Sequence, residues 1–155
     1  MKPMFLEHPA FGRAEWNSEL RTYDVDVTSF VGQTVRLSIS PFDNVVPGHE
    51  PTQLEGASEL AKSVAEQLTR ILVSVDAVKD YVSSELLAQH NDGDWCEGKP
   101  IDSSEFVARP TITDLTISED LDGQVFFDDG DLFWGHAIVV DIDSDGTLSN
   151  AQLFG

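Results

Sequence analysis

The sequence predicts an α+β fold: an antiparallel sheet built from N- and C-terminal strands, with a helical middle packed on one of its faces. Three observations lead there. Before residue 41 and after residue 110, apolar and polar side chains alternate with the two-residue period of half-buried strands. Between them, apolar residues recur every three or four positions, the period of an amphipathic helix. Strands and helices are also segregated along the chain, which favours helices stacked on an antiparallel sheet over interleaved βαβ units. At 155 residues the chain is most simply one domain, 1–155, large enough to bury a core without covalent staples. Its parts are N-terminal strands over 1–40, helices over 52–109 and a β-meander over 111–155.

The elements follow in order. Short strands over 4–6 and 13–16 are joined through 9–12, where a proline and a glycine fit a turn. Tyr23, Val25 and Val27 then alternate with Asp24, Asp26 and Thr28, and beyond a turn at 31–33, Val35, Leu37 and Ile39 alternate with Arg36, Ser38 and Ser40. These two runs make an antiparallel pair. Three prolines and a glycine mark 41–51 as a connector. Thr52-Gln53-Leu54-Glu55 is a capping box, with a hydroxyl at the cap and a carboxylate three residues on. The helical stripe behind it is Leu60, Val64, Leu68, Ile71 and Leu72, and a second is Val75, Val78, Val82 and Leu86. The break near Ser74 is soft, so one bent helix or two both fit. His90-Asn91-Asp92-Gly93 should close the helix in a left-handed cap. Asp102-Ser103-Ser104-Glu105 is another capping box, opening a short helix that Pro110 stops. Strands are expected over 111–118, 124–127, 137–142 and 148–153, with hairpin turns over 119–123 and 143–146.

Charge excludes several partners. Twenty-eight acidic residues face nine basic ones, giving a net charge of -19 spread along the whole chain. Such a surface repels phosphate backbones and anionic membranes, and draws basic proteins and cations toward it. Nucleic acid and membrane are therefore not expected partners, while a basic protein is. Solubility alone also accounts for the charge. The single cysteine, Cys96, allows no intrachain disulfide and no cysteine-based zinc site, and its neighbours offer nothing to stabilise a thiolate. The first nine residues lack the apolar stretch of a signal peptide, and no apolar run approaches the roughly 20 residues that span a bilayer. The expected location is the cytoplasm.

The stretch over 126–140 concentrates special chemistry: Asp128, Asp129 and Asp131, two glycines, Phe133, Trp134 and His136, directly before an apolar strand. The three carboxylates suit a hard cation and His136 a softer one, but Asp129-Gly130 between two aromatic runs is itself a hairpin signal, and the hairpin is the preferred reading. Asp141, Asp143, Asp145 and Gly146 copy the start of an EF-hand loop. Gln152 stands where a bidentate Glu should close the shell, and strands replace the flanking helices, so a hairpin again suffices. No nucleophile elbow and no glycine-rich phosphate loop occurs, and no carboxylate pair is set for acid–base work. No enzyme activity, cofactor or metal is expected. Trp16, Trp95, Phe133 and Trp134 are first expected in the core; an exposed Trp134 beside the acidic turn would be a hot spot for a protein partner.

The run Phe127-Asp-Asp-Gly-Asp-Leu-Phe-Trp-Gly-His136, leading into the strand that ends at Val140, resembles the C-terminal hallmark of a family of small acidic bacterial proteins known only as a domain of unknown function. The following hairpin, the closing segment from Ala151 to Gly155 and the upstream Asn91, Asp92 and Trp95 turn are also similar. The resemblance implies no established activity. It does imply an association, for some relatives, with immunity to bacterial toxins. The expected function is thus a non-enzymatic, immunity-like module that binds a basic partner through Asp128, Asp129, Asp131, Trp134 and His136. The alternative is a divalent-cation module that uses the acidic turns.

Overall fold

The structure is a computed structural model and describes residues 5–28, 32–40 and 57–155. Eight strands form one sheet in sequential order. The N-terminal half contributes β1 (Phe5–His8), β2 (Gly12–Asn17), β3 (Thr22–Thr28) and β4 (Thr34–Ser40). The C-terminal half contributes β5 (Thr111–Ser118), β6 (Gly123–Asp128), β7 (Ala137–Ile142) and β8 (Leu148–Phe154). Between them lie α1 (Ala57–Val73), α2 (Val75–Asp92), a 3-10 turn (Asp94–Cys96) and α3 (Ser103–Ala108).

The sheet is mixed, which corrects the expected antiparallel α+β class. β4 and β5 run parallel, with Leu37 opposite Leu115 and Ile39 opposite Ile117. All other neighbours are antiparallel. Two four-stranded meanders thus meet along one parallel seam, and strands hold more of the described residues than helices do. The fold is dominated by its sheet. The reason lies in where the connection between β4 and β5 ends. A parallel neighbour requires a crossover along the length of the sheet. The 18 residues of α2 rise about 27 Å at 1.5 Å each, more than a seven-residue strand covers. Side-chain alternation is the same for either strand direction, so the pattern that locates β5 does not orient it.

Alternation does set what each face carries. Val35, Leu37, Ile39, Leu115, Ile117 and Val125 are fully buried on one face. They share a single core with Val64, Leu68 and Ile71 of α1 and Val78, Val82 and Leu86 of α2. Ser74 alone separates the two helices, and its N–H donates to the Ile71 carbonyl. The Asp102 cap forms as expected, its Oδ1 accepting the Glu105 N–H at 2.9 Å. The left-handed cap expected at 90–93 does not form, because Gly93 is extended, at φ -102° and ψ -173°. The box at Thr52, the connector over 41–51, and residues Met4 and Val31 of the expected first strand and turn lie outside the described residues.

Buried Gln67 locks α1 to one end of the sheet, donating Nε2 to the carbonyls of Leu121 and Asp143 in the β5–β6 and β7–β8 turns. The β6–β7 loop occupies the opposite end. On the polar face, register sets Arg36 between Asp26 and Asp114, and Gln124 opposite Asp141. Asp24 is the centre of a network across β2, β3 and β4. It accepts from Thr22 Oγ1 at 2.6 Å, Asn17 Nδ2 at 3.0 Å and Arg36 Nη2 at 3.0 Å. Partial burial pushes its carboxyl up, but the hydrogen bonds from Thr22, Asn17, Arg36 and Ser38 together outweigh that and hold it below the ordinary value.

A carboxyl whose pKa is lowered by folding stabilises above its unfolded pKa of about 3.9 and loses that contribution as pH falls through the folded value. Asp24→Asn should therefore cost about 1 kcal/mol at neutral pH, discounted for solvent screening. Urea titrations of both proteins at several pH values should show the gap closing below about pH 4. A gap independent of pH would remove the charged network from the account.

Candidate functional site

The chain reverses between β6 and β7, as the hairpin reading requires, but not through a tight turn at Asp129-Gly130. The loop runs over 129–136, and its second aromatic run is not a strand. Its organiser is Asp129, only 2% exposed. The Asp129 carboxylate accepts three backbone N–H groups: Asp131 to Oδ1 at 3.0 Å, Phe133 to Oδ2 at 2.8 Å and Gly135 to Oδ2 at 2.9 Å. Its own carbonyl accepts the Leu132 N–H at 3.2 Å. A buried carboxylate is costly unless donors surround it, and here the loop wraps its own amides around the charge.

Wrapping this tightly needs unusual backbone. Gly130 and Asp131 are left-handed, as are Trp134 and Gly135. At Gly130 the requirement for glycine is double, since φ is +59° and a Cβ would sit 2.5 Å from the Arg109 carbonyl oxygen. Asp128 Oδ1 caps the Gly130 N–H at 2.9 Å, and Arg109 Nε donates to the Gly130 carbonyl at 2.9 Å, tying the end of α3 to the loop.

The consequence is an abrupt change of side between neighbouring residues. Leu132 and Phe133 are fully buried, whereas Trp134 is 58% exposed. First expectation placed Trp134 in the core; the left-handed bend turns it outward. Its ring meets Trp95 edge-on, with centroids 5.0 Å apart. Trp95 in turn contacts Phe133 at 5.5 Å and His136 at 5.4 Å. His136 Nδ1 lies 2.6 Å from the Phe133 carbonyl oxygen, which can only accept, so that nitrogen carries a proton. Of the residues expected to bind a partner, Asp128, Asp131 and Trp134 are exposed, His136 is half-buried and Asp129 faces inward.

The second acidic turn lies at the other end of the sheet. Asp141 accepts from Gln124 Nε2 at 2.9 Å and Asn150 Nδ2 at 3.0 Å. Asp143 closes the hairpin through its backbone, donating to the Thr147 carbonyl and accepting from Gly146. The Thr147 N–H holds the Asp145 carboxyl below its ordinary value. Among the described residues, no group of three or more His, Cys, Asp and Glu side chains is placed to hold a metal ion.

A pocket of about 500 Å³ opens beside Trp134 that the sequence pattern did not suggest. Trp95, Cys96 and Ile101 line one part of it, with Arg109 and Asp131 across. Asn91 builds that wall, donating Nδ2 to the Ile101 carbonyl at 2.8 Å and accepting the Ile101 N–H on Oδ1 at 3.0 Å. The Cys96 thiol donates to the Asn91 carbonyl at 3.3 Å.

Residues 8–153 match the family described as an uncharacterized protein conserved in bacteria (DUF2262). The resemblance drawn from the C-terminal run holds at that level. No curated protein and no solved structure matches the chain.

Asp129→Ala strands three donors of a folded loop, and should destabilise the protein by about 3–5 kcal/mol. For a chain of this size that lowers Tm by on the order of 10 °C, measurable by thermal melting. A drop within about 2 °C would show that water replaces the carboxylate without penalty.

Proposed function

We propose that this chain, which belongs to the DUF2262 family of bacterial proteins, is a non-enzymatic protein-binding module that presents Trp134 to a basic partner. One observation carries the reading. Trp134 is more than half exposed, yet the N–H groups of the residues on both sides of it are tethered to one buried carboxylate. A large aromatic held outward by a fixed frame loses little freedom on binding, and tryptophan is the residue most enriched at interface hot spots. Left-handed backbone at a residue without glycine's freedom costs energy, and such strain gathers where a surface has a task.

Charge supports the kind of partner. Exposed Asp128 and Asp131 flank the tryptophan, within a surface of net charge -19. That field speeds encounter with a cationic protein and repels nucleic acid. Neutralising a basic toxin, such as a nuclease, is the particular case that the family resemblance brings to this surface. This action is proposed to take place in the cytoplasm.

Trp134→Ala should leave Tm within about 3 °C, since the ring is largely exposed, while weakening partner capture by at least about 30-fold. Affinity capture from a lysate of the native host, at low and then moderate salt, compares wild type with the variant. A basic protein held by wild type and lost by the variant is the expected result. Equal capture by both, or no basic protein at either salt, overturns the reading.

A further inference from the structure

We infer that the pocket beside Trp134 binds a small aromatic zwitterion, a free α-amino acid with a planar side chain. The inference needs no protein partner and stands apart from the one above. Cations without an ion pair are common on this chain, since Lys62, Arg70 and Lys79 form none among the described residues; what is informative is that both signs of charge line one space. Among the described residues, Arg13 pairs with Glu7 and Arg36 with Asp24. Lys99 and Arg109 both line the pocket, and neither forms an ion pair, although Glu97 and Asp131 line the same space.

Two charges of each sign therefore share one pocket without neutralising one another. A simple anion entering it meets the carboxylates of Glu97 and Asp131, and a nucleotide phosphate meets them with more charge. A simple cation meets Lys99 and Arg109. A molecule with an ammonium and a carboxylate a few atoms apart answers both signs. Arg109 is set for the carboxylate: its Nε and Nη2 hold the Gly130 carbonyl, and the rest of its five-donor fork is unspent. Its position is fixed by that anchor, so little freedom is lost on binding.

The remaining lining selects the side chain. Trp95 and Trp134 offer ring surface, against which a planar group packs by stacking or edge contact. A volume of about 500 Å³ falls within the range of small-molecule sites. The wall carrying Trp95, Glu97 and Lys99 is braced by the Asn91 clamp, and left-handed Glu97 and Gly98 form its bend. The backbone of that wall and the Arg109 side chain are thus held in place before any ligand arrives.

The test uses the full chain and L-tryptophan, followed by calorimetry and thermal melting. L-Tryptophanamide lacks the carboxylate, N-acetyl-L-tryptophan lacks the ammonium and glycine lacks the ring. Binding of L-tryptophan with a raised Tm is expected, each of the first two analogues weaker by at least about 10-fold, and glycine silent. Lys99→Gln should reduce affinity about 5-fold or more. Asp131→Asn keeps the backbone N–H that holds the loop, tolerates the left-handed position, and should reduce the penalty for N-acetylation. No heat from L-tryptophan or L-phenylalanine up to about 10 mM would overturn the proposal. So would equal binding of the amide and N-acetyl forms, or tighter binding of adenosine monophosphate. None of these results touches the capture of a basic protein, which is read in a separate experiment.

Discussion

The carboxylate of Asp129 is buried with three backbone N–H groups turned onto it, and the working end of the molecule depends on that contact. Removing a carboxylate from water costs several kcal/mol, and each charge-assisted hydrogen bond returns about 1.5–3 kcal/mol. Left-handed backbone at Asp131 and Trp134 costs on the order of 1–2 kcal/mol apiece. The three bonds together are of the size of the burial cost and the two strains combined, so the loop closes only with all three donors on the charge. Once it has closed, Phe133 must point into the core and Trp134 out of it. Trp95 then has a ring on both sides, and the pocket has its wall.

The sheet supplies the rigid ground for this. Its two ends divide the labour: buried Gln67 ties α1 to the β5–β6 and β7–β8 turns, while the β6–β7 loop at the far end stays free to carry the site. The parallel seam between β4 and β5 matters because the crossover that makes it brings the end of α2, the segment after it and α3 to that same loop. Sheet edges are also managed. β1 is only four residues long, and β8 carries a register shift with Asn150 left-handed, features that discourage pairing with another chain.

Most strands and both long helices were legible in the sequence because their signal is periodic. Val25 and Leu37 alternate whether or not their partners are known, and the Asp102 cap needs only a carboxylate and an amide three residues apart. What was not legible depends on distance in sequence. The direction of β5 relative to β4 is set by where a long connection ends, and no local pattern encodes it. Gly93 resembles a left-handed cap by residue type, but its backbone is extended, and the space a Cβ would need there is taken by the Gln89 carbonyl and the Trp95 ring. Asp129-Gly130 has the composition of a tight hairpin, and burial of the Asp129 side chain converts it into a longer loop. Trp134 looked like core for the same reason: the bend that exposes it is written in Asp129, five residues earlier, and not in its own neighbours. Lys99 and Arg109 meet Trp134 only through that loop, so the pocket has no sequence motif.

Amide hydrogen exchange, followed by NMR in the native state, tests the Asp129 contact most directly. If the carboxylate fixes the loop, the N–H groups of Phe133 and Gly135 exchange slowly, near the rate set by global unfolding, although Gly135 lies at the surface. The Trp134 N–H between them should exchange much faster. Equal, fast exchange at all three positions would contradict the account, because it would mean that the loop opens without breaking a bond to the buried charge.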